Sequence, residues 1–98
     1  MDIRKVRFFY KEGDHACDVA GKAIVDVAQE NLQEYDPHDF YHIDEDILEV
    51  MVKKYPHDNV PCFYYKDQKL FEAEPGMSDD EIIDAVRAIY DRIKDLPY

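Results

Sequence analysis

Phe8-Phe9-Tyr10-Lys11-Glu12-Gly13-Asp14-His15-Ala16-Cys17 is the stretch on which the reading of the fold turns. Residues 3–10 are rich in β-branched and aromatic side chains, with Val6, Phe8 and Tyr10 on one face and Phe9 on the other. That pattern predicts a strand buried on both faces. Lys11-Glu12-Gly13-Asp14 breaks it, after which Ala16, Val19, Ala20, Ala23, Ile24, Val27, Ala28 and Leu32 recur at three- and four-residue spacing. An amphipathic helix therefore starts near Asp14 or His15, with Cys17 in its first turn.

Working outward, Asp36-Pro37 punctuates the chain and Phe40-Tyr41-His42-Ile43 reads as a short second strand ending at Asp44-Glu45-Asp46. Those acids suit a helix N-terminus, where the dipole favours negative charge. Ile47, Leu48, Met51, Val52 and Tyr55 then form the apolar stripe of a second helix of about three turns, which Pro56 ends. Cys62-Phe63-Tyr64-Tyr65 and Leu70-Phe71-Glu72-Ala73 flank the polar Lys66-Asp67-Gln68-Lys69, a hairpin whose turn type stays open because Gln68 is a poor residue for positive φ. Ser78-Asp79-Asp80-Glu81 is a capping box leading the stripe Ile82, Ile83, Val86, Ile89, Tyr90 and Ile93, the C-terminal helix. Arg87 and Asp91 lie one turn apart on its wet face.

The order is strand, helix, strand, helix, strand, strand, helix. The opening βαβ unit gives two parallel strands through a right-handed crossover, and the terminal hairpin adds an antiparallel pair. The expected product is an α/β fold, a mixed four-stranded sheet flanked by three helices, in one domain spanning residues 1–98.

Ninety-eight residues, 46% hydrophobic and 36% charged, contain enough apolar material for a folded core. A formal net charge of −11 disfavours nucleic acid and anionic lipid, whose binding depends on neutralising phosphates with Lys and Arg. With no apolar run of the roughly 18 residues a membrane span needs, a cytoplasmic location and no membrane partner are expected. Two cysteines are too few for a disulfide scaffold and lack the spacing of a structural zinc site.

Three features resemble the thioredoxin and glutaredoxin superfamily over nearly the whole chain. They are Phe8-Phe9-Tyr10 before a loop and Cys17 at a helix start, Val60-Pro61 before Cys62-Phe63-Tyr64-Tyr65, and Gly76 between hairpin and last helix. The resemblance implies a minimal thioredoxin-like fold with a cis Pro61 abutting residues 14–17. The active-site corner would then hold Asp14, His15, Ala16, Cys17, Val60 and Pro61. The family pattern has a cysteine at each end of a four-residue segment, whereas this chain reads Asp14-His15-Ala16-Cys17, a degenerate motif lacking the first cysteine. Phe8 also stands where thioredoxins often carry a buried acid. A dithiol cycle cannot run within this segment.

A thiol attacks as the thiolate, and a helix N-terminus lowers its pKa, but the carboxylates of Asp14 and Asp18 oppose this, so no strongly activated Cys17 thiolate is expected. Cys62 follows the prolyl bond and either faces the same corner, as a partner for Cys17, or packs into the sheet. Asp14, His15, Cys17, Asp18 and Cys62 include metal-ligating types, yet their spacing matches no recognised site, and Asp14 is explained as a helix cap. No metal or cofactor is therefore assigned. His38, His42 and His57 read as surface histidines, and most of the eight tyrosines as core and rim packing.

Three functions fit these residues. The first is a thioredoxin-like protein that binds a thiol-containing or extended polypeptide partner, with at most single-thiol exchange through Cys17. The second is a thiol-disulfide oxidoreductase pairing Cys17 with Cys62 or a partner thiol. The third is a non-redox interaction domain.

Overall fold

A computed structural model describes residues 5–97. The elements are β1 (Val6–Tyr10), α1 (His15–Glu30), a 3-10 turn (Pro37–Asp39), β2 (Phe40–Asp44), α2 (Glu49–Lys54), β3 (Cys62–Tyr65), β4 (Gln68–Glu72) and α3 (Asp79–Ile93). The strands form one sheet in the order β2-β1-β3-β4, β1 parallel to β2 and antiparallel to β3, with β3 antiparallel to β4. This is the α/β architecture of a mixed four-stranded sheet with three helices; the expected strand positions Ile3 and Arg4 lie outside the described residues.

Alternation along β1 sorts the core into two layers. Val6 and Phe8 face α1 and α3, packing with Ala20, Ile24, Val27, Phe63, Val86 and Tyr90. Phe9 faces the opposite side and packs with Ile43, Tyr55, Cys62 and Tyr64, with Met51 and Val52 of α2 above them. Phe8 and Phe63, paired across β1 and β3, stack with ring centroids 4.9 Å apart. Such cross-strand aromatic pairs are the unit that stabilises a sheet.

Local chemistry sets the helix boundaries. Asp14 caps α1 by accepting the Cys17 N–H at 3.0 Å, which satisfies one of the donors a helix N-terminus leaves open. Helix α1 ends at Glu30, so Leu32 falls beyond it and is exposed instead of continuing the stripe. Both halves of the capping box form at Ser78 and Glu81.

Helix α2 differs from expectation. It has six residues instead of three turns, and the acids 44–46 do not sit at its N-cap, which is Leu48 with no side-chain hydrogen bond. Asp44 spends its side chain on the Asp46 N–H and its carbonyl on the Ile47 and Leu48 N–H groups, closing a turn where the helix was expected to begin. Ile47 is left 75% exposed, while Met51 and Val52 pack on the sheet and Tyr55 is buried.

The hairpin turns at Lys66-Asp67, since Gln68 already pairs with Tyr65 in the ladder. Lys66 carries the positive φ, 49°, so Gln68 never meets the demand that made it awkward. Leu70 is an extra residue in β4, because Phe63 pairs with Phe71 and Tyr64 with Lys69. On α3, Arg87 does not pair with Asp91; it binds Asp84 one turn back and Glu30 across on α1. Asp91 accepts instead from the Tyr35 hydroxyl.

Candidate functional site

Antiparallel pairing of Phe9 with Cys62, and of Cys62 with Glu72, brings the end of β1, the start of β3 and the end of β4 to one margin of the sheet. The segments that continue from them, 11–17, 58–61 and 73–77, therefore meet there. Asp14, Ala16, Asn59, Val60, Ala73, Glu74, Pro75, Gly76, Met77 and Ile82 line a cleft of about 220 Å³ between them. The Val60–Pro61 peptide bond is cis. Gly76 supplies a positive φ of 86° where the chain turns into α3, a conformation costly for other residues.

Of the residues singled out from sequence, Asp14, Ala16 and Val60 line this cleft, and His15 and Pro61 do not. His15 is exposed and reaches α3, its Nε2 2.9 Å from Asp79 Oδ1. Pro61 is fully buried, its carbonyl accepting the Ala73 N–H at 3.0 Å. Val60, half-buried, makes no backbone hydrogen bond among the described residues.

Both thiols are free and buried. Cys17 lies behind Asp14 in the first turn of α1, and its Sγ accepts the Lys11 N–H at 3.4 Å. Burial pushes the Cys17 thiol up to about 12, with the Asp14 and Glu45 carboxylates adding to the rise and the Lys11 amide opposing it. Burial rather than nearby charge is thus the main reason the thiol stays protonated. Cys62 packs with Phe9, Ile43 and Tyr55 on the α2 side of the sheet. Its thiol is also pushed up to about 12, first by burial and then by Glu72.

Two carboxylates missed in the sequence organise this margin. Glu72, at the end of β4, accepts the Asp58 N–H at 3.1 Å, the Asn59 N–H at 3.0 Å and the Lys69 ammonium at 2.6 Å. It holds the loop that leads into Val60. The Lys69 hydrogen bond, with help from the Asp58 and Asn59 amides, holds its carboxyl below the ordinary glutamate range. Alternation marks Glu72 only as a strand end, which is why nothing in the sequence pointed to it.

Glu45 is the second, and with it comes a correction: His57 is no surface residue. Its side chain is 2% exposed and paired with Glu45, itself 11% exposed. His57 Nδ1 lies 2.7 Å from the Tyr55 carbonyl. A carbonyl only accepts, so Nδ1 carries a proton and Nε2 faces the Glu45 carboxylate. The ring packs on Phe9, centroids 4.9 Å apart. The pair ties the segment after β2 to the segment after α2. His38 is exposed and paired with Asp36, as a loop histidine would be. His42 is exposed on β2, where its ring meets Phe8 edge-on.

No group of three or more His, Cys, Asp or Glu side chains among the described residues is arranged to hold a metal ion. No described helix is long and apolar enough to cross a membrane.

No family model matches the chain, and no curated protein matches it. A solved structure described as that of a malarial protein superposes with a TM-score of 0.53 at 15% identity, over 85% of this chain and 92% of that one. At that identity the likeness is one of fold alone: the small α/β arrangement recurs in a chain of different sequence.

Proposed function

We propose that this chain is an atypical thioredoxin-like protein that binds an extended polypeptide segment at the cleft between residues 14–16 and 59–60, and that it does not rely on thiol chemistry. The observation that carries the reading is the cleft itself, which gathers Asp14, Ala16 and Val60 from separate parts of the chain. Val60 offers an unengaged backbone there, and an extended ligand adds affinity through main-chain hydrogen bonds of the kind a strand supplies. Cys17 in the first turn of α1 and Gly76 at the turn into α3 are among the features on which the family resemblance rests.

The state of the thiols argues against the oxidoreductase reading. A cysteine with a pKa near 12 is almost wholly protonated at neutral pH, and the thiol form is a poor nucleophile. Cys17 is thus left as a packing residue, with single-thiol exchange as its upper limit.

Dithiothreitol-coupled insulin reduction tests the choice, run on the parent and on Cys17→Ser and Cys62→Ser. The binding module predicts no reductase activity in the parent, and binding of an unfolded, carboxymethylated protein that survives both substitutions. Reductase activity that either serine variant abolishes would replace this reading with the oxidoreductase one. Failure of the parent to bind would leave the non-redox interaction domain.

A further inference from the structure

The cleft combines an apolar wall with unneutralised negative charge, and that combination specifies a side chain. Its lining includes the apolar Val60, Met77 and Ile82 and two carboxylates, Asp14 and Glu74, but no lysine, arginine or histidine. Several carboxylates elsewhere do have a cation beside them: Glu30 has Arg87, Glu34 has Lys94, Glu72 has Lys69 and Asp26 has Lys22. Glu74 makes no side-chain hydrogen bond or ion pair among the described residues; its backbone is engaged, the N–H with Met77 Sδ at 3.2 Å and the carbonyl with the Met77 N–H at 3.2 Å. Asp14 accepts the Cys17 N–H at Oδ1 and makes no ion pair among the described residues.

Size narrows the occupant further. About 220 Å³ falls below the roughly 300–1,000 Å³ of pockets that enclose a whole small molecule. It suits a single side chain of a larger ligand.

We infer that the cleft recognises a lysine or arginine side chain of the bound polypeptide, the aliphatic stem lying along Val60 and Met77 and the cationic head meeting Asp14 and Glu74. This inference rests on the polypeptide-binding reading above and names the residue class it selects. Long cationic side chains bury their methylene stems against apolar surface while the charge stays in a polar setting. Met77 is the adaptable wall such a stem requires. The net charge of −11 attracts a basic segment from a distance, but only the cleft carboxylates select the residue at one position.

The test uses three short unstructured peptides identical except for a central lysine, norleucine or glutamate. Each is titrated into the full chain by fluorescence anisotropy at low and physiological ionic strength, with amide shifts mapping the contact. The lysine peptide is expected to bind about tenfold tighter than the norleucine peptide, the size of one charge-assisted hydrogen bond, and to shift residues 14–16, 59–60 and 73–77. Glu74→Gln should collapse that preference. Glu49→Gln, the same charge change on the exposed face of α2, should leave the preference intact. Equal binding of the lysine and norleucine peptides at the cleft would overturn the cation preference and leave polypeptide binding standing. So would a Glu49→Gln effect as large as that of Glu74→Gln, which would reduce the preference to overall charge. Absence of cleft shifts with all three peptides would overturn both.

Discussion

The carboxylate of Glu72 accepts the backbone N–H of Asn59 at 3.0 Å, so a residue at the end of β4 fixes the position of the segment that forms one wall of the cleft. The same carboxylate takes the Asp58 N–H, and Lys69 completes its shell. Glu72→Ala removes all of these acceptors at once. The expected outcome is faster hydrogen exchange at Asp58 and Asn59 and weaker polypeptide binding, with a loss of about 1–3 kcal/mol of stability for the amides left unsatisfied. Unchanged exchange at both amides would show that the loop holds itself.

Acid should release the same loop. The folded-state pKa of Glu72 is depressed, chiefly by Lys69, so its contribution is fully present above the ordinary glutamate value and is lost as pH falls through the lower folded one. Amide exchange measured down a pH series, corrected for intrinsic rates, should show Asn59 losing protection below the ordinary range. Glu72→Gln should flatten that dependence.

Both cysteines should resist alkylation. With thiols pushed up to about 12, only about one molecule in ten thousand carries either thiolate at pH 8. Iodoacetamide should therefore label the folded chain orders of magnitude more slowly than a free cysteine, and label it promptly in urea. Rapid modification of Cys17 in the folded state would contradict its burial behind Asp14.

Tyr90 is buried between the helices and the sheet and donates its hydroxyl to the Ile24 carbonyl of α1. Tyr90→Phe keeps the ring and should cost about 0.5–1.5 kcal/mol in urea unfolding, the net value of one hydrogen bond. Tyr90→Ala also empties the space against Phe40 and Tyr35 and should cost about 3–5 kcal/mol.

The Glu45–His57 pair offers a coupling experiment. Removing one partner of a buried pair strands the other, at a cost of about 3–5 kcal/mol. Glu45→Gln and His57→Gln should each destabilise the chain, and the double variant should cost clearly less than the sum. Additive losses would mean that the two side chains contribute independently.

The sequence carries much of the fold because its signals are local. Alternation in β1, the Asp14 cap and the Ser78 capping box each depend on a few neighbouring residues, and each is found in its expected place. Helix α2 was overread because its apolar run continues through Ile47 and Leu48, whereas Asp44 diverts the backbone into a turn first. Asp14, Ala16 and Val60 of the cleft were accessible through resemblance. Glu74, Met77 and Ile82 were not, since they reach it only through the register of β3 and β4. His57 was misread for a related reason: its partner, Glu45, is 12 positions away in the chain, and no spacing rule joins them.

The additional residue at Leu70 has a consequence for the chain among its neighbours in solution. Strand β4 is one of the two outer rails of the sheet, and an open rail invites a stranger's backbone to dock along it. By interrupting the even rhythm of donors and acceptors, Leu70 makes that rail a poor template, with Lys66 and Lys69 adding charge at its exposed beginning. That side of the sheet is thereby guarded against edge-to-edge growth into fibres.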